Sequence, residues 1–145
     1  MQNNFEIITR ALIQKDGKIL VCKNIKKNND YYYFPGGHVK MGEPAGKALI
    51  RELKEELNLI VEEVSFIGAI ENVYTQDAKT HHEIILVFNV VADNVEDKSN
   101  EDHLGFFFFD NDQFRKETIL PKALKESIIQ WRKDNQMFWR SNIEA

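Results

Sequence analysis

Three glutamates, Glu52, Glu55 and Glu56, follow Arg51 in the stretch GGHVKMGEPAGKALIRELKEELNLI, with Glu43 and the pair Gly36-Gly37 upstream. A helix advances about 100° per residue, so Glu52 and Glu56 stack one turn apart and Glu55 lies about 60° to one side of Glu52. Like charges at this spacing destabilise an isolated helix by a few tenths of a kcal/mol per pair. A cluster of this kind calls for a compensating cation, and hard divalent ions, Mg²⁺ or Mn²⁺, prefer carboxylate, carbonyl and water oxygens. The alternative is a solvated acidic stripe whose Lys47, Arg51 and Lys54 make ordinary surface pairs. The glycine turn in front of the helix favours the metal, because a plain acidic stripe leaves it unexplained.

The same segment must also anchor itself. Leu49, Leu53 and Leu57 recur at i, i+4, i+8 with Ala45 and Ala48 beside them, which gives the helix an apolar face opposite the glutamates. Pro44 suits the first helical turn, so the spacing predicts a helix starting at residue 43 or 44. Before it, Pro35-Gly36-Gly37 follows the aromatic run Tyr31-Tyr32-Tyr33-Phe34 and reads as a strand turning where a side chain would obstruct. Alternation puts Tyr32 and Phe34 on one side of that strand and Tyr33 on the other.

Gly37, five residues, Glu43, seven residues, then Arg51-Glu52-x-x-Glu55-Glu56 resembles the signature box of the Nudix hydrolases, here residues 37–59. The resemblance implies an α/β fold, the Nudix-type α/β/α sandwich with a mixed β-sheet. It also implies metal-dependent hydrolysis of a pyrophosphate bond in a nucleoside diphosphate derivative. It carries over a metal set of Glu52, Glu55, Glu56 and the Gly36 carbonyl, with Gly37 shaping the turn and Glu43 pairing with Arg51. MutT-like members place a further glutamate in a later loop, which points to Glu101 in competition with Glu96, Asp97 and Asp102, and a basic phosphate contact at the position of Lys23. The general base stays open between Glu52 and Glu101. One departure is Asn58, where the box usually has glycine; asparagine is the next best residue for a left-handed helix end. A binding module of the same fold that senses a nucleotide without hydrolysing it is the rival reading, and such modules usually carry damaged boxes.

Length and composition bound the rest. The 145 residues read as one domain, 1–145, long enough for a sizeable core. Net charge is 19 − 23 = −4, so broad attraction to nucleic acid is not expected. Cys22, the only cysteine, sits in the apolar run Ile19-Leu20-Val21-Cys22 and reads as a core thiol. The start MQNNFEIITR lacks a basic segment followed by an apolar one and no run reaches membrane-spanning length, so the cytoplasm is the default location and no membrane partner is expected. His38, His81, His82 and His103 lack the spacing of a zinc site. His82 reads as structural.

Strands are expected over 5–14 and 18–25, joined by the Asp16-Gly17 turn, then over 61–74, 82–91 and 106–109. Polar loops are expected at 26–30 and 75–80 and an acidic one at 93–102, with a terminal helix over 119–133 opened by Pro121. Strands on both sides of a central helix with a second helix at the end argue a mixed sheet packed between helices. Trp131, Phe138 and Trp139 mark either a packed tail or a homodimer contact.

Overall fold

The computed structural model describes residues 3–143. Its elements in chain order are β1 (Asn3–Lys15), β2 (Lys18–Asn24), β3 (Gly36–His38), α1 (Ala45–Leu57), β4 (Val61–Gln76), β5 (Lys79–Ala92), β6 (Leu104–Phe109), α2 (Asn111–Lys116), α3 (Lys122–Asp134) and β7 (Phe138–Ser141). The strands lie in the order β6-β2-β1-β5-β4-β7, with β3 also on β1. β1 runs parallel to β5 and β4 parallel to β7, while the other pairings are antiparallel, so the sheet is mixed.

Alternation along β1 divides the interior. Ile8 and Leu12 join Phe34, Ile70, Ile85, Phe114, Leu124 and Ile128 in a core that includes α2 and α3. Ala11 and Ile13 join Leu20, Cys22, Leu49 and Leu53 in a second core that includes α1. Helices therefore cover both faces of the sheet, as the pattern of elements argues. Leu49 and Leu53 are fully buried, each worth roughly 1.5–3 kcal/mol on burial. Tyr32 packs with Phe34 against the first core and Tyr33 against the second, as the alternation requires.

Several boundaries differ from expectation, each for a local reason. α1 starts at Ala45 because Pro44 stays extended (φ −61°, ψ 138°) as the residue before the first turn. The expected loop at 75–80 shrinks to a two-residue turn: Asp77 and Ala78 both take positive φ (51° and 61°), and pairing continues to Gln76↔Lys79. Residues 31–34 form no regular strand, only isolated bridges from Tyr32 to Ile119 and from Tyr33 to Cys22. That bridge holds Ile119 outside the terminal helix, which begins at Lys122. Sequence reading passed over α2, although the Asp110–Gln113 capping box opens it. It also passed over β7, an edge strand on which Trp139 stays exposed.

Candidate active site

Gly36 and Gly37 bring backbone close to α1. The register pairs Gly36 with Arg10 and Gly37 with Thr9, and the Thr9 hydroxyl donates to the Gly37 carbonyl at 3.2 Å. Gly36 has φ 143°, and a Cβ there would lie 2.0 Å from the Thr9 carbonyl oxygen, so only glycine fits. At Gly37 a Cβ would lie 2.5–2.7 Å from the Glu52 carboxyl group. The turn thus lets backbone sit against the first glutamate of α1.

Arg51 organises the rest of the turn. Its Nε and Nη2 donate to the two Glu43 oxygens at 2.9 and 3.0 Å, Nη2 also donates to the His38 carbonyl at 3.2 Å, and Nη1 donates to Glu52 Oε1 at 2.9 Å. Glu55 Oε1 lies 3.6 Å from the same Nη1 on a side chain that is half exposed. This fork lowers the Glu43 pKa to about 2, and the hydrogen bonds from Arg51 are the main cause. The expected Glu43–Arg51 pairing is present. Glu6 fastens the other side of the turn by bridging His38 Nε2 and His81 Nδ1 at 3.1 and 3.2 Å.

Glu56 is different in kind, being 9% exposed where Glu55 projects into solvent. Its pKa is pushed up to about 8, first by burial and then by the negative charge of Glu52; Arg10 opposes the shift and Glu101 adds to it. Glu101 reaches this neighbourhood because the Asn100 N–H donates to the Glu56 carbonyl at 2.7 Å, which docks the acidic loop on the last turn of α1. Ser99 Oγ shapes that loop by accepting from the Glu101 N–H at 3.0 Å and donating to its carbonyl at 2.7 Å. His103 Nε2 stands 3.4 Å from the Glu101 carboxylate.

Among the described residues, no three carboxylate, imidazole or thiol groups already stand as a closed metal cage. Arg51 engages Glu52 and Glu55, and Glu52 is also hydrogen-bonded to the buried Glu56 carboxyl. The donor set nevertheless fits a hard divalent cation. All of the candidate donors are oxygens, and a buried carboxyl beside two further carboxylates is the arrangement that a cation would relieve.

Lys23 lies over an aromatic ring. Its Nζ lies 5.0 Å from the centre of the Tyr32 ring, and no contact joins it to the carboxylates among the described residues. Sequence reading missed Arg10, whose guanidinium lies 5.2 Å from the centre of the Tyr33 ring and whose charge reaches Glu56. The available signal was a lone charge in the apolar strand Ile7-Ile8-Thr9-Arg10-Ala11-Leu12-Ile13. Cys22 is buried, and burial pushes its thiol pKa up, which leaves it inert.

The NUDIX domain model matches residues 7–131. The chain belongs to the Nudix family. It is 32% identical over 127 residues to an ADP-ribose pyrophosphatase of Methanocaldococcus jannaschii, covering 84% of this chain and 72% of that protein. A shorter match, 37% identical over 54 residues, links it to a CTP pyrophosphohydrolase of Escherichia coli, with 36% of this chain and 40% of the relative covered. Among solved structures, a MutT protein from Bacillus halodurans superposes with a TM-score of 0.75 at 14% identity, over 92% of this chain and 86% of that one. This Nudix chain is a hydrolase of pyrophosphate bonds in nucleotide derivatives, and its family generally uses divalent metals. No helix among the described residues is long and apolar enough to cross a membrane.

Proposed function

We propose that this Nudix hydrolase cleaves the pyrophosphate bond of a nucleoside diphosphate joined to a sugar, yielding a nucleoside monophosphate and a sugar phosphate. The name of the Methanocaldococcus jannaschii relative supports ADP-ribose as the first such substrate to test. One observation carries the chemistry: Glu56 is buried on α1 beside Glu52, which meets the Gly37 backbone, and it feels the charge of Glu101. Glu52, Glu55 and Glu56, with the Gly36 carbonyl, would hold Mg²⁺ or Mn²⁺. When bound, the cation neutralises phosphate charge and lowers the pKa of water.

The chain's own groups divide the remaining work. Glu52 Oε1 already accepts from Arg51 Nη1, which ties that carboxylate to the box. Glu101 is half-buried, is held by the docked loop and accepts no such fork, so its carboxylate takes the proton of the attacking water. The water oxygen bonds to phosphorus, the bridging P–O bond breaks, and the bridging oxygen leaves on the other phosphate. The complete box argues against a module that only senses nucleotide.

Incubating the protein with ADP-ribose and Mg²⁺ should release the nucleoside monophosphate, and excess chelator should abolish that release. ATP and CTP serve as comparators, read by released pyrophosphate. Unchanged turnover in excess chelator would sink the metal mechanism. Turnover of the triphosphates alone would overturn the sugar-linked substrate.

A further inference from the structure

We propose that Arg10 is a binding residue for the substrate's diphosphate, its guanidinium gripping non-bridging phosphate oxygens on the side of the site opposite the α1 carboxylates. This rests on the reading of the site as a nucleotide pyrophosphate hydrolase.

The first observation is an unspent fork. Arg10 is half-buried on β1, yet its guanidinium makes no hydrogen bond and no ion pair among the described residues. The other half-buried arginines each hydrogen-bond a side chain: Arg51 bonds Glu43, Arg132 bonds Gln14 and Asn111, and Arg140 bonds Glu126. Arg10 rests instead on the Tyr33 ring, 5.2 Å from its centre. A ring face satisfies part of the charge and none of the five N–H donors, whose planar fork matches phosphate oxygens.

Place is the second observation. Arg10 stands in register with Gly36, the residue whose carbonyl is proposed as a metal donor, and its Cα lies 3.1 Å from where a Gly36 Cβ would be. Its charge is felt at Glu56 and Tyr33, and also at Tyr74 on β4. The surrounding carboxylates, Glu52, Glu55, Glu56 and Glu101, repel a diphosphate, so a fixed cation on the backbone side gives its oxygens a second hold besides the metal. Tyr33 keeps the guanidinium pre-positioned, which reduces the ordering cost on binding.

The test uses α,β-methylene-ADP, which carries a diphosphate that is not cleaved, titrated calorimetrically in Mg²⁺ against wild type and Arg10→Met, with adenosine as the phosphate-free control. Methionine retains an apolar stem against Tyr33. Affinity for α,β-methylene-ADP should fall about ten- to a hundredfold, the range of a charged hydrogen bond, while adenosine binding stays unchanged. KM for ADP-ribose should rise by a similar factor, and Arg10→Lys should recover part of the loss. Equal affinity in wild type and Arg10→Met, or parallel loss of both ligands, overturns the inference. If methionine unfolds the chain, Arg10→Gln is read by the same scheme. A wild type that binds no nucleoside diphosphate and cleaves none refutes the functional reading and this inference with it. A wild type that cleaves ADP-ribose as well as Arg10→Met does refutes the inference alone.

Discussion

Replacing Glu56 by glutamine should make the metal-free protein more stable at alkaline pH and nearly inactive. The carboxyl's pKa in the folded chain is about 8 against an ordinary 4.5, because burial and then the Glu52 charge disfavour ionisation. The folded state therefore binds more protons than the unfolded one between those values, and stability falls as pH rises through that window. Below about pH 4.5 the penalty is absent, and above about pH 8 it is complete. A difference of 8 − 4.5 = 3.5 pH units sets a ceiling of about 5 kcal/mol at 1.36 kcal/mol per unit. Glu52 shares the proton and Arg10 eases the charge, so the observable part is about 2–4 kcal/mol.

Glutamine keeps the size, can still donate to Glu52 and cannot ionise. Denaturant unfolding in excess chelator at pH 5, 6.5, 8 and 9 should show a falling wild-type profile and a flat one for Glu56→Gln, with the curves meeting near pH 5. Added Mg²⁺ should then stabilise the wild type at pH 8, by about 2.7 kcal/mol at a hundredfold excess over Kd, and should stabilise Glu56→Gln far less. With a substrate confirmed, kcat of the variant should fall at least about a hundredfold. Parallel pH profiles for the two proteins would refute the reasoning, because Glu56 would then carry no buried charge for a cation to relieve.

Gly37→Ala places a methyl within 2.5–2.7 Å of the Glu52 carboxyl; that flexible end can swing away, so stability should change by about 1 kcal/mol or less while the displaced ligand costs about ten- to a hundredfold in kcat. Wild-type turnover in that variant would remove Glu52 from the ligand set. Glu101→Gln should lower kcat about a hundredfold or more and leave Mg²⁺ stabilisation intact. If turnover survives there and collapses in Glu52→Gln, the base is Glu52. Asn58→Gly should stay within about 1 kcal/mol of wild type, whereas Asn58→Val should lose about 1 kcal/mol or more, because residue 58 sits at φ 53°, ψ 31°. Equal melting curves for the two substitutions would show that this geometry carries no penalty.

What was legible in the sequence was what repeats within a helix turn or a hairpin. The leucine face of α1, the Asp16-Gly17 turn and the left-handed end at Asn58 follow from short separations and are present, as is the Glu43–Arg51 pair that the family resemblance implies. Errors arose where a distant partner decided. Polar residues 75–80 look like a loop in isolation, yet the pairing of β4 with β5 runs through them and leaves only Asp77 and Ala78 to turn. Residues 31–34 look like a strand by composition, but only Tyr32 and Tyr33 find bridge partners, and those are single ones.

The site divides along the same line. The carboxylates of α1 announce themselves because one helix sets their mutual spacing, whereas the residues that give them their chemistry arrive from far along the chain. The loop that carries Glu101 is docked by the Asn100 N–H on the Glu56 carbonyl, a contact across 44 residues. Arg10 reaches Glu56 only because β1 lies in register with the glycine turn, and nothing in a window around residue 10 marks it beyond one charge among apolar neighbours. Lys23 is a different case. A strand-end lysine resembles a phosphate contact by position, and without a bound substrate the fold shows only that its ammonium lies over the Tyr32 ring. Charge in a sequence is thus a weak guide to an active site, and charge left without a partner after folding is a stronger one. By that criterion Glu56 and Arg10 are complementary, since Glu56 is a buried carboxyl whose ionisation the protein alone opposes and Arg10 a guanidinium with no hydrogen-bond partner among the described residues, and a cation bound to a diphosphate would answer both.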